Sequence, residues 1–388
     1  MKVLLTDTHW RTSYYVCKSL SKRGIEVVGL KYRDTIFDKT RYYKQIINVP
    51  SLEDEPDLWL EEVMKLKISH AALIPISIES LKLVASKKKI LKDKFIVPDI
   101  SIDQLNMAND KQKAINFMRE LGIRVPETIM PESLEEAEKL ITKFDFPIVV
   151  KLREEKNLSP VERYGIAHNK DQFIELYKNL SLLQPYPLIQ EYVQGQGVGI
   201  SLLSQKGNII AMSSHQRLRE QFLTGGPSTY CSVFDSSILK EWAIKFTQAS
   251  CWNGIAMLEF KYDRSNDTFY FMEVNPRFWG TVELAIRNNI DFPYLYFKWL
   301  NSDINDSIVH TSDKLLKLKF ISDDICAFTN SILDLDKNKR RKLLYNYVQE
   351  YTDPQLSYMF LDLQDHKIIG EEVKRIIIQL LRLAKYTL

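Results

Sequence analysis

The sequence has few cysteines, little net charge and no long apolar run. Its four cysteines lie far apart without a Cys-x-x-Cys pair, and its six histidines are equally dispersed. This spacing predicts reduced thiols in a cytoplasmic protein and gives no sign of a zinc site.

A net charge of +3 is too small to argue for nucleic acid binding, so we expect no nucleic acid partner. No apolar run reaches the ~18 residues that span a membrane, and the run after Met1 is too short for a signal peptide, so we expect no transmembrane segment.

At 388 residues, 45% of them hydrophobic, the chain is long enough for two or three domains with sizeable cores. The pattern at its amino end predicts a β-α-β unit and two more strands, at residues 2–6 (strand), 12–23 (helix), 25–30, 71–76 and 95–97 (strands). This order predicts parallel strands with right-handed crossovers, and we assign residues 1–105 to a small α/β domain. Ligands sit at the carboxyl ends of parallel strands, so residues 6–11 and 75–79 are candidate binding loops.

Residues 255–275 read as two apolar strands joined by a polar turn, each strand with one acid inside. Carboxylates avoid strand interiors, so Glu259 and Glu273 on paired strands should share a partner. Asn275 and Arg277 follow at two-residue steps and should point to the same face of an extended chain. Two carboxylates and an amide oxygen suit Mg²⁺ held by phosphates, and the arginine offers a planar fork for phosphate oxygens. The alternative is a pair of solvated acids on the polar face of a hairpin, which the Glu-x-Asn-Pro-Arg spacing disfavours.

The stretch 255–281, which contains this hairpin, resembles the metal-binding end of the ATP-grasp superfamily, which includes biotin carboxylase, carbamoyl phosphate synthetase and D-alanine–D-alanine ligase. Residues 272–280, Met-Glu-Val-Asn-Pro-Arg-Phe-Trp-Gly, look most like its carboxylate–amine ligase branch. The resemblance implies that Glu259, Glu273 and Asn275 bind Mg²⁺, with Mn²⁺ as the alternative ion. It implies that Arg277 acts on the phosphates.

Two lysines are candidate phosphate ligands. A continuous apolar strand at 146–151 ends in Lys151, and a semi-buried ammonium there calls for an anion, unless the side chain snorkels to water. Lys111 lies in the first turn of a helix predicted to run to Leu121. The resemblance implies that both lysines reach ATP phosphates.

Residues 153–165 stand where the superfamily has a Gly-rich loop over the phosphates, but here the loop is polar and poor in glycine. Backbone amides can still cradle phosphate there. Arg153, Lys156 or Arg163 could add charge, and we leave the choice among them open. We expect this loop to close over substrate as a lid.

Residues 188–195 resemble the adenine-binding hinge of the superfamily. The resemblance implies that adenine is held by Gln190, Glu191, Tyr192 and Val193. Many members carry an acid about seven residues later for the ribose. This sequence has Gln-Gly-Val-Gly at 196–199, so ribose contacts stay unassigned.

Arg217 and Arg219 precede a Gly-Gly turn at 225–226. They point the same way if the chain is extended. Paired guanidiniums suit an acyl phosphate or a carboxylate, so we expect both to act on the acid substrate. A solvated edge strand is the alternative.

The segment 303–388 contains a basic run at 337–342 and a predicted helix at 371–385. That helix carries apolar residues on one face: Val373, Ile376, Ile377, Leu380, Leu381 and Ala384. We expect this face to pack on the protein. Peripheral contact of the basic segment with a membrane surface is the less favoured alternative.

The expected fold is α/β, with an N-terminal parallel α/β domain, a two-lobed α+β ATP-grasp domain and a mostly helical C-terminal segment. The boundaries we predict are 1–105, 106–302 (lobes 106–187 and 188–302) and 303–388. The resemblance implies an ATP- and Mg²⁺-dependent ligase that activates a small carboxylate as an acyl phosphate and joins it to an amine. The alternatives are a catalytically idle nucleotide-binding module and a scaffold acting through its basic tail. The sequence leaves the oligomeric state undetermined.

Overall fold

The computed structural model describes residues 1–154, 160–222, 225–304, 315–333, 335–360 and 362–387. Three sheets carry the architecture of this part of the chain. The expected α/β class is confirmed, with a parallel sheet first and a helical C-terminal segment last. The domain boundaries stay predictions.

The first sheet is parallel, in the order β3-β2-β1-β4. Its strands are β1 (Lys2–Leu5), β2 (Glu26–Lys31), β3 (Gln45–Asn48) and β4 (Ala72–Ile74). The helices of this region are α1 (Arg11–Lys22), α2 (Pro56–Lys65), α3 (Ile78–Ser86), α4 (Lys88–Leu91) and α5 (Ile102–Asn109). The strand predicted at 95–97 is a single bridge between Ile96 and Ala72. The loops after β1 and β4 meet, since the backbone N–H of Ser77 donates to Oδ2 of Asp7 at 3.0 Å.

The second sheet is antiparallel, in the order β5-β8-β6-β7. Its strands are β5 (Thr128–Ile129), β6 (Ile148–Lys151), β7 (Tyr164–Ala167) and β8 (Leu188–Glu191). The helices between them are α6 (Lys111–Glu120), α7 (Leu134–Leu140), α8 (Pro160–Arg163) and α9 (Lys170–Leu183). Alternate residues of β6, Ile148 and Val150, face a core that contains Phe173 of α9. That alternation leaves Lys151 at the end of β6 on the opposite face.

The third sheet has seven strands, in the order β13-β12-β9-β10-β11-β14-β15. These are β9 (Gln196–Gln205), β10 (Asn208–Phe222), β11 (Gly225–Val233), β12 (Gly254–Asp263), β13 (Thr268–Asn275), β14 (Lys317–Lys319) and β15 (Leu356–Tyr358). The remaining helices are α10 (Ser237–Ser250), α11 (Val282–Arg287), α12 (Phe292–Leu300), α13 (Ile321–Ile332), α14 (Lys337–Gln349) and α15 (His366–Thr387). Strand β10 extends to Phe222, so both Arg217 and Arg219 lie in the sheet. Strands β14 and β15 come from the C-terminal segment, which therefore completes this sheet.

The packing of α15 corrects one prediction. Glu372 turns inward, where its carboxylate accepts hydrogen bonds from the backbone N–H and the hydroxyl of Ser322 at 3.1 and 3.0 Å. Leu383, on the same side, joins the small core between α13, α14 and α15, and Ile376 packs against it. The predicted inward face is wrong for most of its members. Val373, Ile377, Leu380 and Leu381 are exposed.

Across the described ranges, none of the helices is both long enough and apolar enough to pass through a membrane.

Candidate active site

The hairpin of β12 and β13 places two acids opposite each other. Glu259 and Glu273 are direct cross-strand partners. The amide of Asn275 donates to Oε1 of Glu259 at 3.1 Å and to Oε1 of Glu273 at 3.2 Å. The three side chains therefore converge on one face, as their two-residue spacing predicts.

Local chemistry sets the register of this hairpin. Oδ1 of Asp263 accepts from the backbone N–H of Ser265 at 2.9 Å and so closes the turn. Tyr262 stacks on its partner Phe269 with ring centroids 4.4 Å apart. The other face of the hairpin carries Leu258, Phe260, Phe271 and Val274 into the core beneath α10. Burial of that face forces the acids onto the open side.

The pKa values of the two carboxylates shift in opposite directions. Burial raises the pKa of Glu259; Arg217 opposes this rise and the facing Glu273 adds to it. Burial also raises the pKa of Glu273, but Lys111 and Lys151 outweigh it and lower the pKa to about 2. The Nζ atom of Lys111 lies 3.8 Å from Oε2 of Glu273. Glu273 is thus a strongly anionic oxygen donor in a semi-buried position.

These donors fit a hard divalent cation. The site offers two carboxylates on one sheet face, and Asn275 would add its amide oxygen if the amide, whose nitrogen faces both acids, turned over; such oxygen ligands suit Mg²⁺. No group of three or more His, Cys, Asp or Glu side chains able to hold a metal occurs in the described residues. Any Mg²⁺ site built here would therefore depend on the amide, with further ligands from phosphate or water.

Lys151 is a buried ammonium set beside the acids. Its Nζ donates to Oε1 of Gln190 at 2.9 Å, and the Gln190 amide donates in turn to Oγ1 of Thr128 at 2.8 Å. The lysine is only 8% exposed. Burial lowers its pKa to about 7, and the nearby Lys111 adds to that shift. An anion such as phosphate, bound next to Lys151, would offset both the cost of burying the ammonium and its repulsion by Lys111.

The predicted adenine hinge lies at the end of strand β8. The backbone N–H of Glu191 donates to the Glu127 carbonyl at 2.9 Å, and Oε2 of Glu191 accepts from the Glu127 N–H at 3.1 Å. Tyr192 is 40% exposed, and Val193 is half-buried. Gln190 itself is fully buried and accepts a hydrogen bond from Lys151, so it supports that lysine and is not exposed like the hinge residues that follow it. The adenine roles of these residues stay predictions.

The predicted lid loop is anchored at its start. Arg153 donates to Oε1 of Gln112 at 2.8 Å, and its carbonyl accepts from the Lys111 N–H at 2.9 Å. Arg163, at the far end of the loop, is one of the charges that lower the pKa of Glu273. Residues 155–159, which include Lys156, lie outside the described residues, so the lid stays a prediction.

The structure does not bring the two predicted arginines together. Arg217 contacts Oε2 of Glu259 and donates to Oε1 of Glu220 at 3.0 Å. Arg219 instead forms ion pairs of 2.8 Å with both Asp324 and Glu350. Strand β10 has irregular register on both sides of Arg219, so the simple two-residue alternation that predicted a shared face fails. A role for Arg219 at the acids would require it to leave these ion pairs.

Arg277 lies where the third sheet meets the N-terminal region. Its guanidinium carbon is 6.0 Å from the centre of the Trp10 ring, and its charge lowers the pKa of Glu259 against the effect of burial. Trp10 lies on the loop after β1, one of the two predicted binding loops. Sequence reasoning named that loop but gave no signal that it would meet Arg277.

The same loop holds buried polar atoms without partners. Asp7 is 2% exposed, and its Oδ1 has no hydrogen-bond partner in the described part of the chain. Three more buried atoms of this loop have no hydrogen-bond partner in the described residues: Oγ1 of Thr8, Nδ1 of His9 and Nε1 of Trp10. Buried polar groups are normally satisfied, so this run of unpaired atoms beside Arg277 is a candidate contact for a polar substrate.

Comparisons with known proteins find similarity to one protein family and to several curated proteins and solved structures. The family whose sequence model matches is described as "ATP-grasp in the biosynthetic pathway with Ter operon", over residues 184–320. The carbamoyl phosphate synthase large chain of Thermoanaerobacter pseudethanolicus is 23% identical over 285 residues, which are 69% of this chain and 26% of that relative. This chain thus corresponds to only a part of that relative's length.

Solved structures with the same fold include two that resemble most of the chain. An L-amino acid ligase from Bacillus licheniformis has a TM-score of 0.63 at 14% identity, covering 83% of this chain and 80% of that one. The biotin carboxylase domain of 2-oxoglutarate carboxylase from Hydrogenobacter thermophilus, in complex with MgADP, ADP and bicarbonate, has a TM-score of 0.63 at 14% identity, covering 78% and 72%. At 14% sequence identity, the similarity to these two structures is evidence for the fold alone.

The chain therefore has the ATP-grasp fold. The resemblance of residues 255–281 to the ATP-grasp superfamily is confirmed by the matching family model and the carbamoyl phosphate synthase relative.

Proposed function

We propose that this chain is an ATP- and Mg²⁺-dependent ligase that activates a carboxylate as an acyl phosphate and joins it to an amine. The observation that carries the proposal is the convergence of Glu259, Glu273 and Asn275 opposite Lys111 and Lys151. Similarity to ATP-grasp ligases supports ATP-dependent carboxylate–amine ligation in general, and the bound MgADP of the Hydrogenobacter domain supports the nucleotide and the ion. ATP use and four free thiols support a cytoplasmic location.

In this proposal the charged side chains position and neutralise the phosphates. Glu259, Glu273 and Asn275 would hold Mg²⁺, which supplies Lewis-acid neutralisation of phosphate oxygens. Lys151 and Lys111 bind the phosphate oxygens from the facing lobe. Phosphoryl transfer depends on positioning and charge more than on covalent chemistry, so no nucleophilic side chain is required.

The acid and the amine would meet between Arg277 and the loop after β1. A carboxylate oxygen attacks the γ-phosphorus of ATP, and ADP leaves as the acyl phosphate forms. The amine then attacks the acyl carbon, phosphate leaves with the former carboxylate oxygen, and the amine nitrogen gives up a proton. Arg217 and Arg277 flank Glu259 and are placed to stabilise the anionic acyl phosphate. The unpaired Oδ1 of Asp7 would accept a hydrogen bond from the second substrate.

The test is ADP release from the full chain with Mg²⁺, screened over pairs of amino acids, small peptides and sugar acids. ADP release should need a carboxylate, and full turnover should need an amine as well. With ¹⁸O in the carboxylate, label should appear in the released phosphate. Nucleotide binding without turnover for any pair would favour the idle module, and turnover that leaves all label in the acid would point to a kinase or an ATPase.

A further inference from the structure

Helix α15 exposes an apolar stripe along its outer side. Val373, Ile377, Leu380 and Leu381 are 44%, 52%, 48% and 68% exposed. Their spacing of three and four residues puts them on one face. Nothing in the described part of the chain covers this face, which lies away from the buried Glu372 and Leu383.

Lysines border the stripe. At 100° per residue, Lys367, Lys374 and Lys385 lie on one side of it, and Ala384 extends its apolar centre. The acid of this outer side, Glu371, is paired with Lys374 at 2.8 Å.

Helix α14 adds further positive charge beside the end of α15. Arg340 donates to the Tyr386 carbonyl at 2.8 Å, so the first turns of α14 lie against the carboxyl end of α15. Residues 337–342 hold five basic residues and no acid, and Arg341 and Lys342 are exposed. The two helices thus combine an apolar stripe with lysines on one side of it and a basic segment against the carboxyl end of α15.

We propose that α15, with the basic start of α14, docks this protein on an anionic lipid surface. A helix that presents leucine and isoleucine beside lysine lies in the plane of a bilayer interface, with apolar side chains in the acyl boundary and ammonium groups at anionic head groups. The helix is 22 residues long, roughly 33 Å along the surface at 1.5 Å per residue.

Charge argues against the other occupants. A second copy of the chain would bring the same basic border against itself, and like charges at short range oppose that pairing. Nucleic acid would satisfy the basic residues but leave the isoleucine and leucine stripe unused. An anionic bilayer matches both features.

The experiment is sedimentation of the full chain with vesicles of phosphatidylcholine alone or mixed with phosphatidylglycerol. Binding should require the anionic lipid and weaken between about 0.1 and 0.5 M NaCl, where screening increases. The double variant Ile377→Asp/Leu381→Asp should lower the vesicle affinity about tenfold or more. The matched control is Leu182→Asp, an 86% exposed apolar residue of α9 in the other lobe, which should bind like the parent chain.

A charge variant tests the basic start of α14. Arg341→Glu/Lys342→Glu should weaken vesicle binding, and Lys67→Glu/Lys89→Glu, at exposed sites of the N-terminal region, should not. All variants are surface changes, and thermal unfolding checks that they fold; Ile377→Ser/Leu381→Ser replaces the aspartates if they do not.

Three results would overturn the proposal. The first is no binding to anionic vesicles, or equal binding by the stripe variant. The second is a concentration-dependent dimer that the stripe variant dissociates, since that makes the face a self-association surface. The third is salt-sensitive binding to an RNA oligonucleotide that needs the basic residues but not the stripe, without lipid binding. Loss of ligase activity plays no part in these results, so this proposal and the proposed function fail separately.

Discussion

The side chain of Arg217 crosses strand β9 at Gly197 on its way to Glu259. A Cβ atom at Gly197 would lie 2.8 Å from Cδ of Arg217, closer than carbon atoms pack. Arg217 stands on β10 and Glu259 on β12, with β9 between them. The glycine therefore makes the room that lets an arginine two strands away reach the acid pair.

Replacing Gly197 should disturb the site without unfolding the chain. We expect Gly197→Ala to displace the flexible Arg217 side chain and lower kcat/KM for the acid substrate about tenfold or more, because the arginine loses its path to Glu259. Steady-state kinetics measures this, with thermal unfolding as the check on folding. The control is Gly370→Ala, which meets nothing within 4 Å in α15 and should stabilise the protein by about 0.5–1 kcal/mol. An unchanged kcat/KM in Gly197→Ala would contradict the role of this crossing.

The two arginines of β10 should give opposite phenotypes. Arg217→Ala should raise KM for the acid or lower kcat while ATP affinity stays nearly unchanged. Arg219→Ala should instead destabilise the fold by about 2 kcal/mol, because it removes charged hydrogen bonds from the fully buried Asp324, which keeps Lys319 at 3.5 Å. Urea unfolding and steady-state kinetics on both variants separate these effects. If Arg219→Ala kept full stability but lost activity towards the acid, the prediction that both arginines act on the acid substrate would regain support.

The facing acids should be needed for metal-dependent turnover. Glu273→Gln keeps the shape of the side chain but not the charge that offsets a cation, so Mg²⁺-dependent ADP formation should fall by orders of magnitude with the fold retained. The matched control is Glu175→Gln, at an exposed acid on α9, which should behave like the parent chain. Activity within about twofold of the parent in Glu273→Gln would refute the metal assignment.

Nucleotide affinity should depend on pH through Lys151. Its pKa in the free protein is lowered to about 7, so above pH 7 the ammonium loses its proton, and ATP must bind with proton uptake. We expect ATP affinity to fall by up to about tenfold per pH unit above pH 7, and calorimetry in buffers of different ionisation enthalpy to record the proton.

The control for this titration is the neutral variant. Lys151→Met should weaken ATP much more than adenosine, which carries no phosphate, and should abolish the proton uptake. Equal losses for both ligands would exclude a phosphate role. Glu191→Ala should weaken both ligands alike, because its predicted contact is with adenine.

Local patterns predicted much of the fold and of the acid cluster. The two-residue spacing of Glu273, Asn275 and Arg277, and the hairpin around residues 263–267, depend on interactions a few residues apart. The apolar run that ends in Lys151 likewise predicted a buried lysine, and the structure has one. Strand β3 and helix α2 were not predicted, since a four-residue strand gives little periodic signal.

What the sequence by itself determined is which short segments become strands and helices and which acids share a strand face, because those properties follow from side-chain period and turn chemistry. Only the tertiary structure decided that Arg217 and not Arg219 reaches Glu259, that the loop after β1 meets Arg277, and which side of α15 is buried. Each of these depends on residues far apart in the chain, such as Gly197, Asp324 and Ser322, whose contacts no local pattern encodes. Helix periodicity marked one apolar side of α15, but the hydrogen bonds between Glu372 and Ser322 turn a different side towards the protein.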